Sequence, residues 1–335
     1  MGTINFGTLG IASIHAYGFT PIIKDIDGLE FYAVASRDKS KAERYAKEHG
    51  IAKSYGCYED LLADPDVHCV YIALPNALHA EWCLKALDAG KHVLCEKPVC
   101  ADAAQALRVA DKVAETGLIF AEAFHYRYHP LAHKLEDLVR GGAIGDVKYI
   151  SGRFCEKLPT PDKPQYDPNL AGGALMDVGC YPVSLVRWLA GCDEAEIMSA
   201  NCDMLPSGVD GYTRAAMRFA NGVSARISCS ITATKPTYAY IRGTRGALFA
   251  ASPFSPTIDL GPLWLNQYAL VQRRGAQVRN IRVPRVRTYT CQLQAFRDAV
   301  IANKQPATDI AEGVANMKLI DAIFKKAGVQ RPEFD

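Results

Sequence analysis

The sequence predicts an α/β protein of two domains. A doubly wound parallel sheet is expected over residues 1–124, and an α+β domain with a large, open, mainly antiparallel sheet over 125–335. Three observations predict it. Up to about residue 124, short apolar runs alternate with helical stretches, the pattern of βαβ units. A turn containing glycines, "GTLGIAS" (7–13), directly follows the first run. Beyond residue 125, apolar residues recur at every second position over long runs, and Asn221-Gly222 separates two of them.

The elements follow in order. "INFGTLGI" is a strand entering a glycine turn, and "FYAVAS" (31–36) is a second strand. "KSKAERYAKEHG" (39–50) is a helix with Gly50 as its C-cap. "CVYIALP" (69–75) is a strand and "ALHAEWCLKALDAG" (77–90) a helix. "HVLCEKP" is a fourth strand, 101–117 a helix, and "LIFAEAF" (118–124) a fifth strand. After a helix over about 130–141 come the alternating runs 147–155, 212–220, 223–231 and 269–274, then two C-terminal helical stretches that are free to return to the first domain.

With 335 residues, 49% hydrophobic and 22% charged, the composition is that of an ordinary globular chain large enough for two cores. A net charge of +2 gives no electrostatic case for a nucleic-acid or membrane partner. No apolar run approaches the roughly 20 residues that span a bilayer, and periodic structure from Thr3 leaves no room for a targeting peptide. The eleven cysteines contain no C-x-x-C pair and sit mostly in apolar runs, which reads as reduced core thiols, no metal and a cytoplasmic location.

The chemistry-bearing residues collect at strand ends. Gly7, Leu9, Gly10, Ile11 and Ala12 form the turn before the first helix, where bare backbone N–H groups suit a pyrophosphate, although the spacing G-x-x-G-x-A is not the usual one. The second strand ends in Ser36-Arg37, which suits the 2′-phosphate of NADP; the competing reading gives the ribose to Asp38 and leaves Arg37 solvated. Leu74, Pro75 and Asn76 stop the third strand at the ligand-binding edge, and His79 follows as a cofactor contact or a structural residue. The buried run at 92–95 stops in Glu96, Lys97 and Pro98. A charge there is costly unless it is used, and a partly desolvated lysine holds a substrate hydroxyl and helps move its proton; the plain alternative is a surface ion pair. In "GGALMDVGCYPV" (172–183), Asp177 and Tyr181 are four apart on one helix face. Tyr181 exchanges a proton if a cation lowers its pKa, and Asp177 orients a hydroxyl or the lysine. Gly172, Gly173 and Gly179 suggest close backbone packing against a ligand; otherwise the pair is a satisfied helix contact.

"CEKP" and "GGALMDVGCYP", with "ALPNALHAEWCLKALDAGKHVLCEKP", "AEAFHYRYHP" and "ANMKLIDAI", give the chain a resemblance to the glucose–fructose oxidoreductase/inositol dehydrogenase (Gfo/Idh/MocA) family over nearly its whole length. That resemblance implies an N-terminal Rossmann domain and a C-terminal open sheet that forms an oligomer interface, so a homodimer or higher homo-oligomer. Many members carry a histidine four residues after the aspartate; Tyr181 stands there instead, as in dimeric dihydrodiol dehydrogenases and NADP-dependent D-xylose 1-dehydrogenases. Inositol dehydrogenase activity is therefore in doubt, and Lys97 with Tyr181 is implied as the acid–base pair. The expected activity is NADP-dependent oxidation or reduction of a sugar or vicinal diol, NAD remaining possible, with Arg127, Asp177 and Tyr181 on the substrate. The competing functions are a redox-neutral glycosidase using tightly bound NAD and a non-enzymatic dinucleotide or sugar sensor. The loop 156–171 is expected to line the sugar pocket.

Overall fold

The computed structural model describes residues 2–158, 163–256 and 270–334. Within the expected loop 156–171, residues 159–162 lie outside them, as does residue 269 of the run 269–274. The chain divides into two units, one comprising residues up to Phe124 with Tyr289–Val314, the other His125–Thr288 with Ala315–Glu333.

In the first unit the strands are β1 (Ile4–Leu9), β2 (Leu29–Ala35), β3 (Lys53–Tyr55), β4 (Cys69–Ile72), β5 (His92–Cys95) and β6 (Phe120–Glu122). They lie in the order β3-β2-β1-β4-β5-β6, every pair parallel. The order reverses between β1 and β4, which opens a crevice at the strands' carboxyl ends. The connecting helices are α1 (Thr20–Ile23), α2 (Lys39–His49), α3 (Tyr58–Ala63), α4 (His79–Asp88) and α5 (Ala103–Thr116). The helix predicted after the glycine turn is a π-turn, His15–Phe19, followed by the single turn α1 with Pro21 in its first turn. Neither β3 nor α3 was read from the sequence, because three and six residues are too short to establish a period. Helices α2 and α5 are bounded as their sequences dictate: Asp38 and Asp102 accept backbone N–H bonds at the start, and Gly50 and Gly117 close the end at φ +66° and +67°. Phe6, Phe19, Tyr71 and Leu94 fill the core. Phe296 of α8 (Thr288–Ala302) joins them with its ring 5.6 Å from that of Phe6, which accounts for the late segment in this unit.

The second unit contains α6 (Pro130–Arg140), β7 (Val147–Cys155), α7 (Cys180–Ala190), β8 (Ala195–Met204), β9 (Asp210–Phe219), β10 (Ser224–Ser230), β11 (Lys235–Gly243), β12 (Ala247–Ala251), β13 (Leu270–Arg274) and β14 (Gln277–Ile281). The last helix is α9 (Ile310–Lys326). The sheet order is β14-β13-β12-β11-β7-β10-β9-β8, antiparallel except for β7 with β10. Asn221-Gly222 makes the β9–β10 turn with Gly222 at φ +87°, and Asn221 holds it by accepting the Val223 N–H. One face is buried through Ala215, Met217, Phe219, Ala225, Ile227, Ile150 and Ile241. The other presents Tyr212, Arg214, Ala216 and Arg218 of β9. It is therefore aromatic and cationic, because alternation along β9 turns Ala215, Met217 and Phe219 inward.

Candidate active site

The carboxyl edge of the first sheet gathers most of the residues read as cofactor contacts. Gly10 ends β1 at φ +88°; a Cβ there would stand 2.8 Å from Leu74 Cδ2 and 3.2 Å from Ala73 O. The turn is thus open to glycine alone and leaves bare backbone at the crevice, with Ile11 and Ala12 half-buried beside it, so the cradle fits a dinucleotide. Gly7 and Leu9 are placed differently. Both are inside β1 and buried, and a Cβ on Gly7 would meet Leu61 Cδ2 at 2.6 Å, so its missing side chain serves packing against α3. His15, not singled out from the sequence, fixes the turn: its Nδ1 lies 3.2 Å from both the N and the O of Ala12. Burial drives its pKa down to about 4, so the ring is neutral.

At the end of β2, Ser36 is buried and its hydroxyl accepts the Asp38 N–H at 3.2 Å. The Asp38 carboxylate accepts from Ser40 Oγ at 2.7 Å and from Lys41 N at 3.1 Å, and the Ser40 bond leads the causes that lower its pKa. Asp38 is thereby committed to capping α2, and Arg37 before it is exposed. Lys41, also missed, donates its ammonium to Ile11 O at 3.3 Å and brings a second cation to the glycine turn.

At the next two strand ends, a 3₁₀ turn, Asn76–Leu78, follows Leu74 and Pro75. His79 is fully buried, with Nδ1 2.8 Å from Pro98 O and Nε2 2.9 Å from Leu74 O. Burial lowers its pKa and the Lys97 charge adds to this, so the neutral ring donates to one carbonyl at a time. His79 therefore ties the 74–79 loop to the Glu96–Pro98 loop, and its ring nitrogens are engaged there rather than with a ligand. Glu96 accepts from Tyr71 OH at 2.5 Å through Oε1 and from the Lys97 N–H at 3.3 Å through Oε2. Tyr71 is buried, and that burial raises its pKa well above the ordinary value, with the Glu96 charge adding to it; the phenol stays a donor. Lys97 follows on this anchored carboxylate, and its bond to Pro98 is cis.

In the second unit, Asp177 lies in a π-turn, Leu175–Gly179, that runs directly into α7, which carries Tyr181. Such π-turns recur at functional sites. The glycines around them meet protein. A Cβ on Gly172 would stand 2.6 Å from Gln165 O, one on Gly173 2.2 Å from Asp210 Oδ1, and one on Gly179 2.6 Å from Cys229 Sγ. The expectation that they make room for a ligand is corrected accordingly. Asp210 is buried and accepts the Leu175 N–H at 2.9 Å, so a carboxylate from β9 supplies the start of this helix with the cap it lacks locally. Tyr181 is 6% exposed and its hydroxyl lies 3.2 Å from His125 Nε2. The rings of Phe154, Phe254 and Tyr126 stand 5.3, 5.4 and 5.8 Å away. Arg127 is buried with its guanidinium 4.1 Å over the Trp188 ring, about two helical turns along α7 from Tyr181. A groove of about 460 Å³ near that end of α7, lined by Glu136, Arg140, Lys148 and Trp188, lies away from Tyr181.

Residues 4–124 match the oxidoreductase family with an NAD-binding Rossmann fold, and residues 132–249 match the GFO/IDH/MocA C-terminal domain. A D-xylose 1-dehydrogenase (NADP(+)) of Haloferax volcanii is 36% identical over 96% of this chain and 97% of its own. The trans-1,2-dihydrobenzene-1,2-diol dehydrogenase of Mus musculus is 34% identical over 73% of this chain and 74% of its own. Among solved structures, a 3-ketoreductase from Actinomadura kijaniata in complex with NADP and TDP-benzene superposes with a TM-score of 0.87 at 27% identity, covering 97% of this chain and 98% of its own.

Proposed function

Because the chain belongs to the Gfo/Idh/MocA oxidoreductase family, we propose that it is an NADP-dependent enzyme moving a hydride between nicotinamide C4 and a carbinol carbon of a sugar or vicinal diol. The observation that carries this reading is the convergence of Gly10, Ser36-Arg37, Leu74–Asn76 and Glu96-Lys97 at the carboxyl edge of one parallel sheet. Bound NADP supplies a hydride donor or acceptor. The chain's own residues do the rest. Arg37 and Lys41 balance the 2′-phosphate, the glycine turn holds the pyrophosphate, and Pro75 and Asn76 border the nicotinamide half. Lys97 anchors the carbinol oxygen and lowers the pKa of Tyr181, which takes or returns the hydroxyl proton. Asp177 orients a neighbouring hydroxyl, and Arg127 supports the substrate side through Trp188.

Mixing the protein with NADP or NAD and a panel of aldoses, inositols and diols tests this by reduced-cofactor absorbance. Reduction with NADP and at least one polyol is expected; no reduction across the panel, or NAD preferred throughout, overturns it. Retention of Lys97, Asp177 and Tyr181 argues against a mere sensor, and an exposed Arg37 favours exchangeable NADP over the tightly held NAD of a redox-neutral glycosidase.

The same proposal includes a homo-oligomer built on the open sheet face. Tyr149 and Tyr240 rings lie 6.4 Å apart, Tyr238 and Phe249 5.9 Å apart, and Arg153 and Arg242 stack on Tyr238 and Tyr149. Tyrosine and arginine in such density are what interfaces favour. Among the described residues no helix is long and apolar enough to cross a membrane. The eleven free cysteines support the cytoplasm as the compartment.

A further inference from the structure

His125 opens a 3₁₀ turn, His125–Tyr128, that is held at its far end by His129, whose Nδ1 accepts the Leu131 N–H at the start of α6. The turn therefore presents the His125 ring from a braced backbone. Its Nε2 lies 3.2 Å from the Tyr181 hydroxyl, the two rings stand edge to face at 5.9 Å, and the histidine is 4% exposed. Phe154 and Phe254 line the Tyr181 ring and bring no charge. Tyr126 OH lies 3.1 Å from Ser184 Oγ, Arg127 stacks on Trp188, and Asp177 stands one turn before Tyr181. Burial holds His129 neutral with a pKa of about 4.

We propose that His125 is a positioning residue and proton relay for Tyr181, taking the phenol's proton as the phenol takes the substrate's. This rests on the role of Tyr181 given above. A phenol among aromatic rings resists ionisation, because the phenolate would be desolvated. An imidazole nitrogen at hydrogen-bond distance, accepting the proton, removes that obstacle: Tyr181 need never persist as a phenolate. In the oxidising direction the carbinol O–H opens and its proton bonds to the Tyr181 oxygen. The original phenol O–H opens and its proton bonds to His125 Nε2. Imidazole becomes imidazolium, balancing the hydride lost from the carbinol carbon, and releases its proton to buffer before the next turnover. In the reducing direction each transfer reverses.

The first test needs no turnover. Ring-nitrogen NMR of the cofactor-free protein, with the His125 signal assigned from its loss in His125→Gln, is compared with Tyr181→Phe. The His125 Nε2 shift and titration midpoint are expected to move when the phenol oxygen is removed; an unmoved signal overturns the relay. The second test is kinetic. His125→Ala and His125→Gln, checked for fold by circular dichroism and for NADP binding by titration, are expected to lose about ten- to a hundredfold in kcat, the range of a hydrogen bond to a developing charge. Their pH profile should differ in shape from that of the wild type. Added imidazole should restore His125→Ala, and the rescued rate should follow the pKa of a series of substituted imidazoles. A wild-type pH profile in both variants, without rescue, overturns the relay while leaving the Tyr181 assignment intact, provided Tyr181→Phe is inactive. An active Tyr181→Phe overturns the assignment and the relay together.

Discussion

Lys97 stands where a buried strand ends, one residue after a carboxylate that Tyr71 holds at 2.5 Å. That bond keeps Glu96 placed at the strand end beside Lys97. Lys97→Ala is expected to leave the fold and NADP affinity nearly intact and to lower turnover by about 10²–10⁴-fold. Tyr181→Phe should fall comparably, and the double variant should be little worse than either, since groups that act as a unit are not additive. Steady-state turnover beside a cofactor titration checks all three; a Lys97→Ala protein that keeps most of its turnover reduces the charged strand end to a structural pair. The proposed cofactor preference is assigned to Arg37, since Asp38 is occupied as a helix cap. Arg37→Ala should weaken NADP by about 10- to 150-fold, with far less effect on NAD. Equal losses for the two cofactors in binding titrations contradict that role.

At the scale of elements, the Asp177–Tyr181 helix owes its start to a distant strand. Gly173 sits at φ +114° with Asp210 Oδ1 filling the place of a Cβ, and the same carboxylate receives the Leu175 N–H. Gly173→Ala combines a strained backbone with displacement of that cap. It should destabilise the protein by more than about 1 kcal/mol and lower turnover, while NADP binding, which belongs to the first unit, is retained. Thermal unfolding and cofactor titration on the same sample separate these effects; unchanged Tm and activity would show that the cap is dispensable. The glycines here were legible as requirements for close approach. What approaches them was not, because Asp210 is 37 residues further along the chain and no local spacing links the two.

For the whole molecule, buried neutral histidines make stability depend on pH. Burial lowers the pKa of His15 and of His129 to about 4 in the folded chain. The unfolded chain protonates them at about 6.5, so it binds more protons below that pH. Their contribution is fully present above 6.5 and is lost as pH falls towards 4, amounting to about 3 kcal/mol for the fully buried His15. Urea unfolding should show a clear drop between about pH 7.5 and about pH 5, diminished in His15→Gln; a flat profile contradicts the assignment. The proposed assembly is checked at the same scale: sedimentation should show an oligomer at micromolar concentration, and charge placed at Tyr240 should dissociate it. A monomer throughout removes the open face from the account.

The sequence by itself determined the elements and the edge where chemistry collects. The period of apolar residues, Gly50 as a stop, and Asn221-Gly222 as a hairpin turn all act within a few residues, so their physics is local and readable; that Asp38 caps a helix instead of taking a ribose was shown by the structure. Strand ends are equally local, which is why Gly10, Ser36-Arg37, Pro75-Asn76 and Glu96-Lys97 could be named before their strands were aligned. Only the tertiary structure decided what those residues touch. It assigned Gly7 to packing against Leu61, took both ring nitrogens of His79 for backbone carbonyls, turned Met217 and Phe219 inward, stacked Arg127 on Trp188, and brought His125 to Tyr181 from 56 residues away. Each of these depends on the register of strands and the seating of helices, which arise from packing among residues far apart in the chain.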